Sequence, residues 1–313
     1  MGWLGESLVK ELSRFPRLRL AAVQDADPEL AAEIAARYGS PRHGTDYEAL
    51  VATPDVDVVV ICTPNWLHGE QARAALRVGK HVLVQKPLAL TPMDARATVD
   101  LAARVGKLLV VDYSYRYLET VRSLRVALPD IGRVERVTAT FHNIYGPSNR
   151  WPFEPRLSGG GALIDLGVHL LDLGLDALRP RRVRLEAAEL SFARGYPVED
   201  AARILVRLDE VPMTVEVSWN ADRPLADISL QVDGERGRLR WENVAGSFFH
   251  FRSLRNRVLL LDRETTLRAD TLEELDRALT RGAAPPIHLE VYDLLAEAYR
   301  SIGARIMGPA PEC

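Results

Sequence analysis

Residues 56–91 read VDVVVICTPNWLHGEQARAALRVGKHVLVQKPLALT, and the alternation within this stretch decides the architecture. Residues 56–62 are a β-branched apolar run, too continuous for a sheet with one wet face. They predict a strand buried on both sides, as in parallel sheets. Residues 69–78 follow as a helix that ends at Gly79, and 81–84 as a second short strand. The pattern continues outward in both directions. Residues 92–105 read as a helix ended by Gly106, and 108–112 as a strand. On the N-terminal side, 4–15 is an amphipathic helix, 18–23 a strand and 28–38 an alanine-rich helix. Strands alternating with helices of roughly 10–15 residues indicate βαβ units and a doubly wound parallel sheet.

Beyond about residue 120 the character changes. Residues 133–143, 183–192, 202–208, 213–219, 228–232 and 237–241 read as strands with few helices between them. Asp233-Gly234 marks a hairpin turn. Two helices stand out, 161–178 and 289–302. Residues 146–161, GPSNRWPFEPRLSGGG, form a long Pro/Gly-rich loop, a length that is often functional. The expected organisation is an α/β domain over residues 1–118 and a mainly antiparallel α+β domain over 119–313.

At 313 residues the chain is long enough for two such domains. The formal net charge of -3 supplies no broad positive field, which excludes nonspecific nucleic-acid binding. No apolar run approaches the ~18 residues of a membrane span, and Glu6 and Lys10 interrupt any secretory core at the start. The two cysteines, Cys62 and Cys313, give neither a disulfide framework nor a metal cluster, which suits a reducing cytoplasm. Lysine occurs only at positions 10, 80, 86 and 107, so a lysine at a strand end is notable in a chain that otherwise uses arginine.

Several residues fall where chemistry is done. Gly2 and Gly5 open the first helix with the spacing of the last two glycines of G-x-G-x-x-G, which lets backbone approach a pyrophosphate. Asp25 ends the next strand about 20 residues later, the spacing of an acid that accepts hydrogen bonds from an adenosine ribose. Thr63, Pro64, Asn65 and His68 follow the buried strand, at the carboxyl edge where α/β sheets bind ligands. His68 also reads as a plain helix N-terminal residue. Gln85 and Lys86 occupy the next strand end, and an ammonium there can hydrogen-bond a substrate oxygen as a compact charge. In GGGALIDLGVHLLD, residues 159–172, Asp165, His169 and Asp172 share one helical face. A carboxylate one turn from an imidazole can orient it as a general base. The same helix also reads as a core element with a satisfied histidine.

Together these segments resemble the Gfo/Idh/MocA oxidoreductases, named for glucose-fructose oxidoreductase, inositol dehydrogenase and a rhizopine-catabolism protein. Residues 56–91 are similar to the second half of that family's nucleotide domain, GGGALIDLGVHLLDL to its substrate-domain helix, and YDLLAEAYRSI to its last helix. The resemblance implies a Rossmann domain joined to an open-faced sheet domain with the active site between them. It implies hydride transfer between NAD, or alternatively NADP, and a carbinol carbon of a sugar or cyclitol. By that mapping His169 moves the hydroxyl proton, Asp165 orients it, and Lys86 polarises the oxygen. Tyr113, Arg116, Asn149, Arg150 and Trp151 fall on segments the family places near substrate. Homodimers or homotetramers are implied through the open sheet face, with Val215, Val217 and Trp219 as candidates to cover it. Asp25 followed by Ala26 favours NAD, although Arg42 lies near enough in sequence to meet a phosphate. Two other readings stand beside this one: a ketoreductase of a nucleotide-sugar pathway, and a noncatalytic nucleotide-binding regulator.

The sequence departs from the family pattern twice. Gln85 stands where the family has Glu. The first strand and first glycine of the fingerprint are absent, which predicts an unfilled gap in the parallel sheet and an apolar strand upstream of Met1.

Overall fold

Asp27 starts a helix by accepting hydrogen bonds from the Glu29 and Leu30 amides, and Gly39 ends it in the left-handed region at φ 69°. The computed structural model describes residues 2–303. The first part runs α1 (Trp3–Glu11), β1 (Val23–Gln24), α2 (Pro28–Tyr38), β2 (His43–Gly44), α3 (Tyr47–Val51), β3 (Val58–Ile61), α4 (Asn65–Arg77), β4 (His81–Gln85), α5 (Pro92–Val105) and β5 (Leu109–Asp112). It continues with α6 (Glu119–Ala127), β6 (Val134–His142), α7 (Pro155–Ser158), a π-helical turn (Leu163–Gly167), α8 (Val168–Leu178), β7 (Val183–Ser191), β8 (Ala201–Leu208) and β9 (Val211–Ser218). The last part holds β10 (Asp227–Gly234), β11 (Gly237–Asn243), β12 (His250–Arg255), β13 (Val258–Glu264), α9 (Arg268–Arg281) and α10 (Glu290–Ser301).

The chain forms two units. The first contains Met1–Ala89, Met93–Asp112 and Arg268–Ile287; the second contains Leu90–Pro92, Tyr113–Leu267 and the remainder. A single cut at 118/119 therefore differs from the division the chain makes. The reason is α9, whose Arg268 and Thr271 donate hydrogen bonds to the buried Asp112 carboxylate at 3.1 and 2.7 Å. Arg17 adds an ion pair to Asp276 at 3.6 Å.

In the first unit the parallel strands stand as two pieces. One is the pair β1–β2, registered Val23↔His43, and the other has the order β3-β4-β5. In a doubly wound sheet the strand before the glycine turn lies between these pieces. No strand of the described residues occupies that place. Of the expected strand over 18–23 only Val23 lies in β1, which runs on to Gln24. Residue 60 corrects a second expectation. Val59 and Ile61 are buried, but Val60 is 44% exposed, so β3 is covered on one side only at that point.

The second unit is built on a sheet of order β13-β12-β11-β10-β6-β9-β8-β7. The β6–β9 pair is parallel and the other pairings are antiparallel. The β10–β11 hairpin forms where expected, but its turn is Glu235-Arg236; Asp233 and Gly234 belong to β10, with Gly234 opposite Gly237. Val137, Ala139, Ile204, Val206, Leu230 and Val232 are buried on the inner face. Val215, Val217 and Trp219 join them there. They do not cover an outer face, as the alternation alone suggested; α8 and the π-helical turn pack on β9 and take that apolar stripe. The intervening positions are polar, with ion pairs such as Arg203–Glu216 at 3.0 Å and Arg252–Glu242 at 2.7 Å.

No helix of the described residues is long and apolar enough to cross a membrane. Cys62 is a free thiol whose pKa burial pushes up to about 12. Cys313 lies outside the described residues.

Candidate active site

The first unit carries the residues expected to meet the nucleotide. Gly2 is the N-cap of α1 and no side chain caps it, while Gly5 is buried one turn on. Space is open around Gly2, where an added Cβ would meet nothing within 4 Å. A helix start of this kind presents amide N–H groups and the positive end of the helix dipole, which suits a pyrophosphate. Asp25 stands just past β1, half-buried, and its Oδ1 accepts the Asp27 amide at 2.9 Å. A carboxylate only accepts hydrogen bonds, so it fits a ribose diol and repels a phosphate. Arg42 is paired with Asp55 at 2.8 Å.

The turn after β3 is fixed by Thr63, whose hydroxyl donates to Gln71 Oε1 at 2.6 Å, and α4 begins at Asn65 with Pro64 as its N-cap. His68 is buried, and both ring nitrogens face carbonyls: Nδ1 lies 2.7 Å from Pro87 O and Nε2 2.6 Å from Thr63 O. Burial holds its pKa below the ordinary value. It thus ties the turn after β3 to the turn that carries Lys86. Lys86 is half-buried at the end of β4, and the Lys86-Pro87 peptide is cis.

Residue 85 has a local reason to be Gln. Its amide donates to Asp112 Oδ2. Asp112 is fully buried and also receives Arg268 and Thr271. A Glu at 85 would set a second carboxylate against the first, and like charges at that range disfavour ionisation of one of them. The Arg268 guanidinium also lies over the Trp3 ring, 5.8 Å from its centroid.

The second unit carries the residues expected to do acid–base work. The Gly159-Gly160-Gly161 run is required by close approach. A Cβ on Gly160 would fall 2.0 Å from the Tyr299 hydroxyl, and one on Gly161 1.9 Å from Glu199 O. Glu199 is buried and accepts the Gly161 and Leu163 amides, each at 2.9 Å, and the Tyr299 hydroxyl at 2.7 Å. Burial raises its pKa against these bonds. The chain then makes the π-helical turn before entering α8. Such turns recur at functional sites.

Asp165 sits in that turn, where its Oδ2 accepts the Trp219 indole N–H at 2.9 Å. His169 is 9% exposed, with its ring edge-on to Tyr115 at 5.1 Å and to Tyr113 at 6.4 Å. Asp172, the third residue of the predicted face, faces the core. It pairs with Arg116 at 3.0 Å, both buried, and burial pushes the Asp172 carboxyl up to about 7. Arg116 thereby has an internal partner in place of the expected substrate. The Tyr113 hydroxyl is 3.0 Å from that of Tyr292. Arg150 is exposed and Trp151 half-buried, at a short turn over Trp151–Phe153.

Three functional residues escaped sequence reasoning. Trp219 was legible only as an apolar strand position, and no local pattern marked Glu199 or Asp112 as bonding partners. Among the described residues no group of three His, Cys, Asp or Glu side chains is arranged to hold a metal.

Residues 1–113 match the model of the oxidoreductase family with an NAD-binding Rossmann fold, and residues 124–240 match the GFO/IDH/MocA C-terminal domain. The chain belongs to the GFO/IDH/MocA oxidoreductase family. It is 38% identical over 230 residues to 1,5-anhydro-D-fructose reductase of Ensifer adhaerens, covering 72% of this chain and 68% of the relative. It is 32% identical over 261 residues to a putative UDP-kanosamine synthase oxidoreductase subunit of Amycolatopsis mediterranei, covering 76% and 72%. Its fold matches the crystal structure of GenD2 from gentamicin A biosynthesis in complex with NAD, with TM-score 0.83 and 26% identity over 96% of this chain and 92% of that one. As a family member this chain is an NAD-binding oxidoreductase. The uncapped α1 start, the open space at Gly2 and the acceptor-only Asp25 fit that cofactor.

Proposed function

We propose that this chain is an NAD-dependent dehydrogenase, or reductase in the reverse direction, acting on a ring carbinol or keto carbon of a sugar or cyclitol. The observation that carries this reading is Asp165, fixed by the Trp219 indole, four residues before a largely buried His169. By this reading His169 accepts the hydroxyl proton on oxidation and returns it on reduction. Asp165 sets the ring's orientation. Lys86, at the carboxyl end of β4, hydrogen-bonds the reacting oxygen as a compact cation. When bound, the nicotinamide takes or supplies the hydride.

Gly2 and Gly5 receive the pyrophosphate and Asp25 the adenosine ribose. Thr63, Pro64, Asn65 and Gln85 border the nicotinamide, and His68 holds their turns together. NAD is favoured over NADP because Asp25 repels a 2′-phosphate and Arg42 is already paired with Asp55. Arg150 and Trp151 contact substrate. Tyr113 and Arg116 act from behind, Tyr113 against the His169 ring and Arg116 through Asp172. A homodimer or homotetramer in the cytoplasm belongs to the same proposal. A second reading, reduction of a keto group on a nucleotide-linked sugar, draws on the similarity to the UDP-kanosamine synthase subunit.

The test is NADH formation with myo-inositol, methyl glucosides and anhydro-sugars, and NADH consumption with keto-sugars. Turnover of a ring polyol supports the main reading. NAD binding without turnover in either direction would place the chain among noncatalytic nucleotide binders.

A further inference from the structure

The Pro/Gly-rich loop has a use that the acid–base residues do not absorb. Its Phe153 ring packs on Tyr196 with centroids 4.5 Å apart, and edge-on against Trp219 at 5.5 Å. Trp219 is the residue whose indole N–H holds Asp165. The three rings therefore form a file that leads away from the proton-handling residues. Trp219 is buried, whereas Phe153 and Tyr196 are half-buried.

Asn220, next in sequence to Trp219, lies beside the same rings. A Cβ built on Gly146 would fall 3.6 Å from Asn220 Nδ2 and 3.9 Å from the Phe153 ring, so loop, amide and ring meet at one place. Asn220 Nδ2 is buried and has no hydrogen-bond partner among the described residues. A buried amide donor without an acceptor costs stability, and such groups in native proteins call for an explanation. An acceptor brought by a ligand supplies one.

Half-exposed aromatic rings beside an unsatisfied amide donor match a pyranose, which has an apolar C–H face and a rim of oxygens. We propose that Phe153, Tyr196 and Asn220 form a subsite for a second sugar ring, the one joined glycosidically to the ring that reacts. Trp219 stands between Phe153 and Asp165, so the subsite lies one ring further out than the proton-handling residues. Phe153 and Tyr196 stack the second ring, and Asn220 donates to one of its oxygens. The inference rests on the sugar-dehydrogenase reading above and adds glycoside specificity to it.

The test compares methyl β-D-glucopyranoside with methyl β-cellobioside. KM is measured for each with NAD, and Kd for each by calorimetry on the NADH-bound protein, which needs no turnover. The wild type is expected to favour the cellobioside roughly fivefold to tenfold, the scale of one aromatic stacking contact. Tyr196→Ala, Phe153→Ala and Asn220→Ala should each bring that ratio towards one, and Tyr196→Phe should keep it. Equal affinity of the wild type for the two glycosides, binding of neither, or an unchanged ratio in all three alanine variants would overturn the subsite. Absence of turnover with the Kd ratio behaving as stated would instead overturn the dehydrogenase reading and leave the subsite standing.

Discussion

The Trp219 indole nitrogen donates to Asp165 Oδ2 at 2.9 Å, linking the end of β9 to the π-helical turn across 54 residues of sequence. The carboxylate proposed to orient His169 is therefore set by the sheet and not by its own helix alone. A hydrogen bond to a charged group contributes about 1.5–3 kcal/mol.

Removing that bond while keeping an aromatic ring isolates its role. Trp219→Phe is expected to lower kcat by roughly tenfold or more, as a bond of that size implies. The Kd for NAD, measured by fluorescence titration, should stay at the wild-type value. A variant with wild-type kcat would show that Asp165 needs no such anchor.

Gly161→Ala should be far more damaging than a typical surface change. Its Cβ would fall 1.9 Å from Glu199 O, a backbone atom that cannot swing aside. A loss of ~4 kcal/mol or more, or failure to accumulate as folded protein, is expected by thermal unfolding. Gly282→Ala, at a position with nothing within 4 Å but φ +68°, should cost about 1 kcal/mol from backbone strain alone.

Asp172 ties stability to pH. Burial raises its carboxyl from 3.8 to about 7 in the folded chain, so the folded state holds a proton that the unfolded state has released. The stabilising contribution is present in full below about pH 4 and is lost as pH rises towards 7. Asp172→Asn should flatten the fall in Tm across that window relative to the wild type. Parallel Tm curves for the two proteins would remove Asp172 as the cause.

Cofactor choice follows from Asp25. Fluorescence titration should show NADH binding at least about tenfold tighter than NADPH, the cost of bringing a phosphate beside a carboxylate without a cation to compensate. Tighter NADPH binding would mean that Arg42 leaves Asp55 for the 2′-phosphate.

Much of the first unit was legible because its helices carry their own stop and start signals. Asp27, Gly79 and Gly106 sit where the chain turns, and 92–105 was read to the residue. The second unit's strands were legible to within a few residues where one face is apolar. Periodicity could not say what covers that face, so Val215, Val217 and Trp219 were placed outward although α8 lies over them. β12 and β13 escaped because residues 250–264 carry charges on both faces, and Val258, Leu259 and Leu260 remain exposed at the sheet edge. The candidate site was legible as far as Asp165, His169 and Lys86, which lie in short motifs. Trp219, Glu199 and the Arg116–Asp172 pair are contacts made by folding, between residues 36 to 100 positions apart, and no local pattern encodes them.

The most direct test of the dehydrogenase reading is the steady-state rate of NADH formation by His169→Ala on whichever polyol the wild type turns over, with NAD affinity measured on the same sample. A fall in kcat of ~10²–10⁴-fold with NAD affinity retained is expected for loss of a general base. A variant that turns over at the wild-type rate would contradict the assignment of proton transfer to His169.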